Sequence, residues 1–210
     1  FDPSGLRPAD ILLFEPLNPN RFQQLIQFLQ KRHGFSPDHH RFTHAALYLG
    51  YDHLLCESLA WRGVVYSSLE KYLPGEDIIV RVRRFPDLTE EQCSRVLIAG
   101  TQCLGVPYSW EQAIFGALGI DPQRYGRSQR DSLICSALCH RAFLTLLEDP
   151  GIEGRQFGFN VGASNWVCPA ALSATTNLED VAVRLPTLAV RRRGPGRAGG
   201  SPHHTRLSSA

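Results

Sequence analysis

The feature that most constrains the fold is a segment that turns back on itself. THAALYL over Thr43 to Leu49 is strand-like, Gly50-Tyr51-Asp52 supplies turn formers, and His53 to Ser58 returns as a second strand. Two apolar runs joined so tightly pair as an antiparallel hairpin. With the turn centred between Tyr51 and Asp52, paired positions sum to about 103, so Glu57 stands opposite Ala46. Side chains alternate faces along a strand, so His44 shares a face with Ala46. Glu57 is then the diagonal cross-strand neighbour of His44.

Other elements follow from local signals. Asp10 to Glu15 (DILLFE) reads as a buried strand. Asn20 caps a helix over Arg21 to Arg32, in which Phe22, Leu25, Ile26 and Leu29 recur at helical spacing and after which Gly34 follows as a stop. FSPDHHR is a polar loop, Gly63 to Ser67 a strand, and Leu69 to Leu73 a short helix. Ile78 to Arg83 alternates valine with arginine, as in a strand with one face in water. Thr89 and Gln92 form a capping box for a second helix, whose buried face runs through Cys93, Val96, Leu97, Gly100 and Leu104. A third helix spans about Leu133 to Leu147, Pro169 opens a short one, and Asp180 to Leu185 is a last strand. Strands mixed with helices in this order predict an α+β domain.

The 210 residues suit one domain, at 1–186, followed by a basic tail at 187–210. The tail carries five arginines and no acid, and its Gly-Pro-Arg composition predicts disorder. Because the whole chain is only +2, the domain without the tail is about −3, which argues against nucleic acid as its partner. No apolar run approaches the roughly 18 residues of a membrane helix. No signal peptide is visible at FDPSGLRPAD. The six cysteines include no Cys-x-x-Cys pair, and most sit in apolar periodic runs. Free thiols in a reducing compartment such as the cytoplasm are the simpler reading, and delivery as a secreted effector fits as well.

Cys135 is the most informative thiol. It follows Ser132 and Asp131, either of which can cap a helix, and so falls in a first turn. Unpaired N–H groups and the positive end of the helix dipole stabilise a thiolate there. Packing as a core cysteine is the alternative for Cys135, and it is the better reading for Cys139 one turn on. His44 opens a strand after a polar loop, and Glu57 beside it is what a base and its orienter require. An edge-strand Glu57 facing solvent is the alternative. His39, His40 and His44 lack a carboxylate at helical spacing, so no metal and no cofactor is expected.

The ordered segments RPADILLFEP, FTHAALYLG, LLCESLAWRGVVYSSL, GVPYSW and DSLICSALCHRAF resemble the circularly permuted NlpC-like, papain-fold cysteine hydrolases, the YiiX-like group. The resemblance runs from about Arg7 to Ser173, with Pro169, Leu172 and Thr175 matching a closing helix motif. It implies Cys135 as nucleophile, His44 as base and Glu57 as third member. It also implies a place for Tyr108 in the substrate cleft, although packing beneath the nucleophile helix would serve Tyr108 as well. The implied fold is permuted papain-like, an antiparallel sheet with the nucleophile helix packed against it. The chain departs from the family at Ala9, where a glycine is usual (a mild change), and at Ala137, where an acid is frequent. It also carries a longer insert, Pro16 to Arg41, suited to a lid or a protein-partner docking element.

These readings predict a cysteine hydrolase that cleaves an amide bond of a peptide, isopeptide or side chain through a thioacyl-enzyme. Two alternatives stay open. One is a lipid acyltransferase or phospholipase of the lecithin-retinol acyltransferase type; the other is an inactive papain-like binding module.

Overall fold

A computed structural model describes residues 5–72, 77–110, 113, 132–146 and 167–182. The tail, Asp131 and the stretch from 114 to 131 lie outside the described residues. Among the described residues the chain forms a six-stranded antiparallel sheet with helices. The strands are β1 (Ile11–Pro16), β2 (His44–Tyr48), β3 (Leu54–Leu59), β4 (Gly63–Ser68), β5 (Ile78–Arg84) and β6 (Glu179–Val181), in the order β4-β3-β2-β1-β5-β6. The helices are α1 (Arg21–Arg32), α2 (Pro37–His40), α3 (Glu90–Thr101), α4 (Cys135–Leu144) and α5 (Pro169–Ala174), with a 3-10 turn over Leu69–Tyr72. This is an α+β architecture. No helix among the described residues is long and apolar enough to cross a membrane.

Alternation along the strands divides the core between two faces. Ile11, Leu13, Ala45, Leu47 and Cys56 face one way, packed with Val96 of α3 and Leu138, Ala142 and Phe143 of α4. Leu12, Phe14, Ala46, Leu55 and Val82 face the other way, covered by Leu69 and Tyr72 of the 3-10 turn. Close approach of α3 relies on Gly100, where a Cβ would sit 2.7 Å from Leu47 Cδ2. The β2–β3 register pairs Leu47 with Cys56 and Tyr48 with Leu55. Both pairs sum to 103, the register expected from the turn.

Local caps match the sequence signals at α1 and α3, where Asn20 with Gln23 and Thr89 with Gln92 form reciprocal capping boxes. Elsewhere the structure departs from expectation. The polar loop after Gly34 contains α2, and α3 ends at Thr101, leaving Leu104 beyond it and 37% exposed. The arginines of β5 do not all face water. Arg83 is buried and donates to the carbonyls of Thr175 (2.5 Å) and Leu178 (2.6 Å) and to Asp180 (2.9 Å). An arginine whose guanidinium satisfies three acceptors can be buried without a solvated face.

Ala9 is more than a mild change from glycine. Its φ is +70°, and it is buried against the core. A left-handed backbone costs a non-glycine residue roughly 1–2 kcal/mol. The 16–41 insert folds back onto its own chain through Gln30, a buried amide. Gln30 donates to the carbonyls of His40 (2.9 Å) and Phe42 (2.8 Å) and accepts from Ala170 N–H (2.9 Å). Leu25 and Phe28 of α1, on the insert, remain exposed.

Candidate active site

The site gathers at the starts of β2 and α4 and the middle of β3. His44 is the first residue of β2 and Cys135 the first residue of α4. The helix is capped by Ile134, with no side-chain cap, rather than by Ser132. The N-cap residue itself thus contributes no side-chain bond to the first-turn N–H groups beside Cys135. Two anchors hold this entry. Ser58 Oγ donates to Leu133 O (2.7 Å), and Ser136 Oγ donates to Val167 O (2.9 Å).

His44 Nε2 lies 2.5 Å from Glu57 Oε2, and the imidazole also hydrogen-bonds to Cys135. Since Nε2 is engaged by Glu57, Nδ1 is the nitrogen left for the thiol. The sulfur further receives the backbone N–H groups of Ala45 and Ser136. Burial alone raises a thiol, but the charge and hydrogen bond of His44, with those two N–H groups, outweigh it and hold Cys135 below its ordinary range. Burial likewise opposes the imidazolium, yet Cys135 and Glu57 together push His44 up to about 10. The arrangement favours thiolate and imidazolium over thiol and imidazole.

The other five cysteines move the opposite way. Burial pushes Cys56 and Cys168 up to about 12 and Cys139 well above its usual range, and it also raises Cys93 and Cys103. All six are free. Cys139 is wholly buried among core side chains, where the sequence reading put it.

Glu57 is fully buried, not a solvent-facing edge residue. Four donors converge on it. His44 and Tyr72 meet Oε2, the phenol at 2.6 Å, while Ser67 Oγ and Lys71 Nζ bind Oε1. Burial opposes its charge, but the bonds to His44, Lys71 and Ser67 more than compensate and keep the carboxyl well below the usual carboxylate range. Sequence reasoning missed Ser67, Lys71 and Tyr72. Ser67 had a signal, because the β3–β4 register pairs Glu57 with Val65 and Leu55 with Ser67, placing Ser67 on the Glu57 face. Lys71 and Tyr72 lie in the 3-10 turn, where no periodicity assigns a face. Asp10, the other acid near the first strands, is held elsewhere. Arg84 grips both its oxygens at 2.7 Å and Arg7 N–H donates at 2.8 Å.

Tyr108 pairs with Leu133 in a parallel bridge, two residues before Cys135. Burial first, and then the charge of Cys135, disfavour its ionisation, which puts the phenol near the thiol. From Tyr108 an aromatic row runs outward. Its ring lies 5.0 Å from Trp110, which lies 4.8 Å from Trp61 and 5.5 Å from Phe22. Trp61 is 87% exposed, with φ +70°. His39 and His40 stay apart from this centre; His39 Nδ1 meets Ser173 Oγ at 3.0 Å. No group of three or more His, Cys, Asp or Glu side chains fit to hold a metal occurs among the described residues.

No protein-family model matches the sequence, and no curated protein matches it. Among solved structures the chain is similar to the metalloprotein YiiX from Escherichia coli O157:H7, also labelled DUF1105. The TM-score is 0.55 at 18% identity, over 86% of this chain and 98% of that one. At this identity the likeness shows a shared fold.

Proposed function

We propose that the chain is a cysteine hydrolase of permuted papain-like layout. In this reading Cys135 is the nucleophile, His44 its base and Glu57 the orienter. The observation that carries the proposal is the hydrogen-bonded chain Cys135–His44–Glu57. It joins the one thiol held low to an imidazole whose tautomer a buried carboxylate fixes. The thiolate attacks an acyl carbon, the imidazolium gives its proton to the leaving group, and a thioester forms. Water then loses a proton to His44, attacks the thioester and releases the acid. In this reading the backbone N–H of Cys135 donates to the developing oxyanion. An amide is the expected bond, and esters and thioesters undergo the same chemistry.

A second reading, transfer of a lipid acyl group, is favoured by the aromatic row from Tyr108 to Trp61, which offers apolar contact beside the nucleophile. YiiX is described as a metalloprotein, but these residues do not suit a metal. Both Glu57 oxygens are taken by hydrogen-bond donors, one of them the Lys71 ammonium, which would repel a cation.

Iodoacetamide labelling near neutral pH with peptide mass mapping tests the assignment. Cys135 is expected to alkylate far faster than the other five cysteines, and Cys135→Ala is expected to abolish turnover of a small amide or ester panel while keeping the fold. Preferential labelling of Cys93, the thiol with more exposure, would reject the nucleophile.

A further inference from the structure

Lys71 belongs to no triad, yet its ammonium binds the carboxylate that orients the base. Among the described residues, the titratable groups facing the Cys135–His44 pair are Glu57 from β3, Lys71 and Tyr72 from the 3-10 turn, Tyr108 from the loop, Cys139 from α4 and Cys168 at the start of α5. The two phenols and two thiols are pushed up and stay neutral near neutral pH. Beyond the pair itself, the local charges among the described residues are therefore those of Glu57 and Lys71.

The charge balance changes through the cycle. At rest the thiolate and carboxylate face the imidazolium and ammonium, two negative and two positive. In the acyl-enzyme the sulfur is bonded to the acyl carbon and His44 has passed its proton to the leaving group. Carboxylate and ammonium then remain, still balanced. Without the ammonium, a buried carboxylate would stand beside a neutral imidazole with no counter-charge, a costly state in a low-dielectric site. It would resist loss of the His44 proton.

We propose that Lys71 is a positioning residue whose ammonium offsets the Glu57 charge and so lets His44 release and regain its proton during turnover. This rests on the hydrolase reading above and names a control on the same site. Lys71 is partly exposed, its side chain at 36%, so shortening or neutralising it opens no core cavity.

The test uses the full chain and needs no substrate. The ultraviolet absorbance of the Cys135 thiolate and its iodoacetamide alkylation rate are followed across pH in wild type, Lys71→Met, Lys71→Gln and Lys71→Arg. Both neutral variants are expected to move the two limbs of the profile to higher pH, by on the order of one unit, because losing a positive charge raises the pKa of both members of the pair. Lys71→Arg, which keeps the charge, is expected to stay near wild type. Neutral variants that overlay a wild type with a depressed thiol would overturn the role of Lys71 alone. So would a shift to lower pH, which would mean that Glu57 itself takes up a proton. A wild-type Cys135 that titrates as an ordinary thiol would overturn this inference together with the hydrolase reading.

Discussion

His44 and Tyr72 share one oxygen atom: His44 Nε2 and Tyr72 Oη lie 2.5 Å and 2.6 Å from Glu57 Oε2. The phenol thus fixes where the carboxylate sits relative to the imidazole. Its own ring is stacked on Phe14 at 4.0 Å, and Phe14 also lies 5.5 Å from the His44 ring.

Tyr72→Phe keeps that stacking and removes only the hydroxyl. A hydrogen bond to a charged acceptor contributes roughly 1.5–3 kcal/mol. Loss of even about 1.4 kcal/mol of transition-state stabilisation slows the reaction tenfold. The expected result is an alkylation or turnover rate reduced by about tenfold. Because no formal charge is lost, the limbs of the pH profile are expected to move less than in Lys71→Met. A Phe variant with the wild-type rate would show that Ser67, Lys71 and His44 hold Glu57 without it.

Glu57→Gln tests the orienting role proposed for this carboxylate. An amide has one acceptor oxygen where the carboxylate offers two, so it cannot serve all four donors now bound. The fold is expected to persist but to lose roughly 1–3 kcal/mol, read as a lowered urea midpoint. The rate is expected to fall on the order of 10²-fold as the imidazolium loses its counter-charge. His44 should also release its proton at lower pH, moving the basic limb downward, opposite to the Lys71 variants. A Gln variant with an unchanged profile would remove Glu57 from the mechanism.

The same carboxylate ties stability to pH. Its folded pKa lies below the ordinary 4.5, so the unfolded chain takes up this proton first as pH falls. The stability it contributes is fully present above about pH 4.5 and is lost as pH drops toward the folded value. Urea titrations at neutral pH and at successively lower pH are expected to show a steeper acid loss for wild type than for Glu57→Gln. Equal slopes would mean that the carboxylate is no better stabilised in the fold than in the unfolded chain.

How much of this was legible in the sequence depended on which physical rule set each residue. The hairpin turn at Gly50–Asp52 fixed the register, and alternation then put Glu57 and His44 on one face. The reciprocal caps at Asn20 and Thr89 are local chemistry within four residues, which a sequence displays directly. Lys71 and Tyr72 reach Glu57 from an irregular turn, whose direction depends on how Leu69 packs into the core. Arg83 looked solvent-facing because alternation says which side of a strand a residue takes, not what covers that side. The arriving segment at Thr175 to Asp180 is what buries it. The left-handed backbone at Ala9 was hidden by a residue that does not advertise it.

Gly63 is where the strand carrying Ser67 meets the loop carrying Tyr108. Its φ is +70°, and a Cβ there would lie 2.3 Å from Val106 O. The approach is close because Val64 N–H donates to Val106 O (2.8 Å) and Gly105 N–H donates to Val64 O (2.9 Å). That stitching fixes the loop just before Tyr108 and its bridge to Leu133. Gly63→Ala must therefore bear backbone strain of roughly 1–2 kcal/mol and overpacking of roughly 1–3 kcal/mol against a backbone carbonyl that cannot rotate away. Gly34→Ala is the control, since its φ is +86° but nothing lies within 4 Å of the added Cβ. Denaturant titration is expected to show a clearly larger loss for Gly63→Ala than for Gly34→Ala. Alkylation of Cys135 should also slow in the former alone, because the displaced loop drags Leu133 and the start of α4 with it. Equal losses in the two variants would mean that the 105–107 loop gives way freely and does not position Cys135.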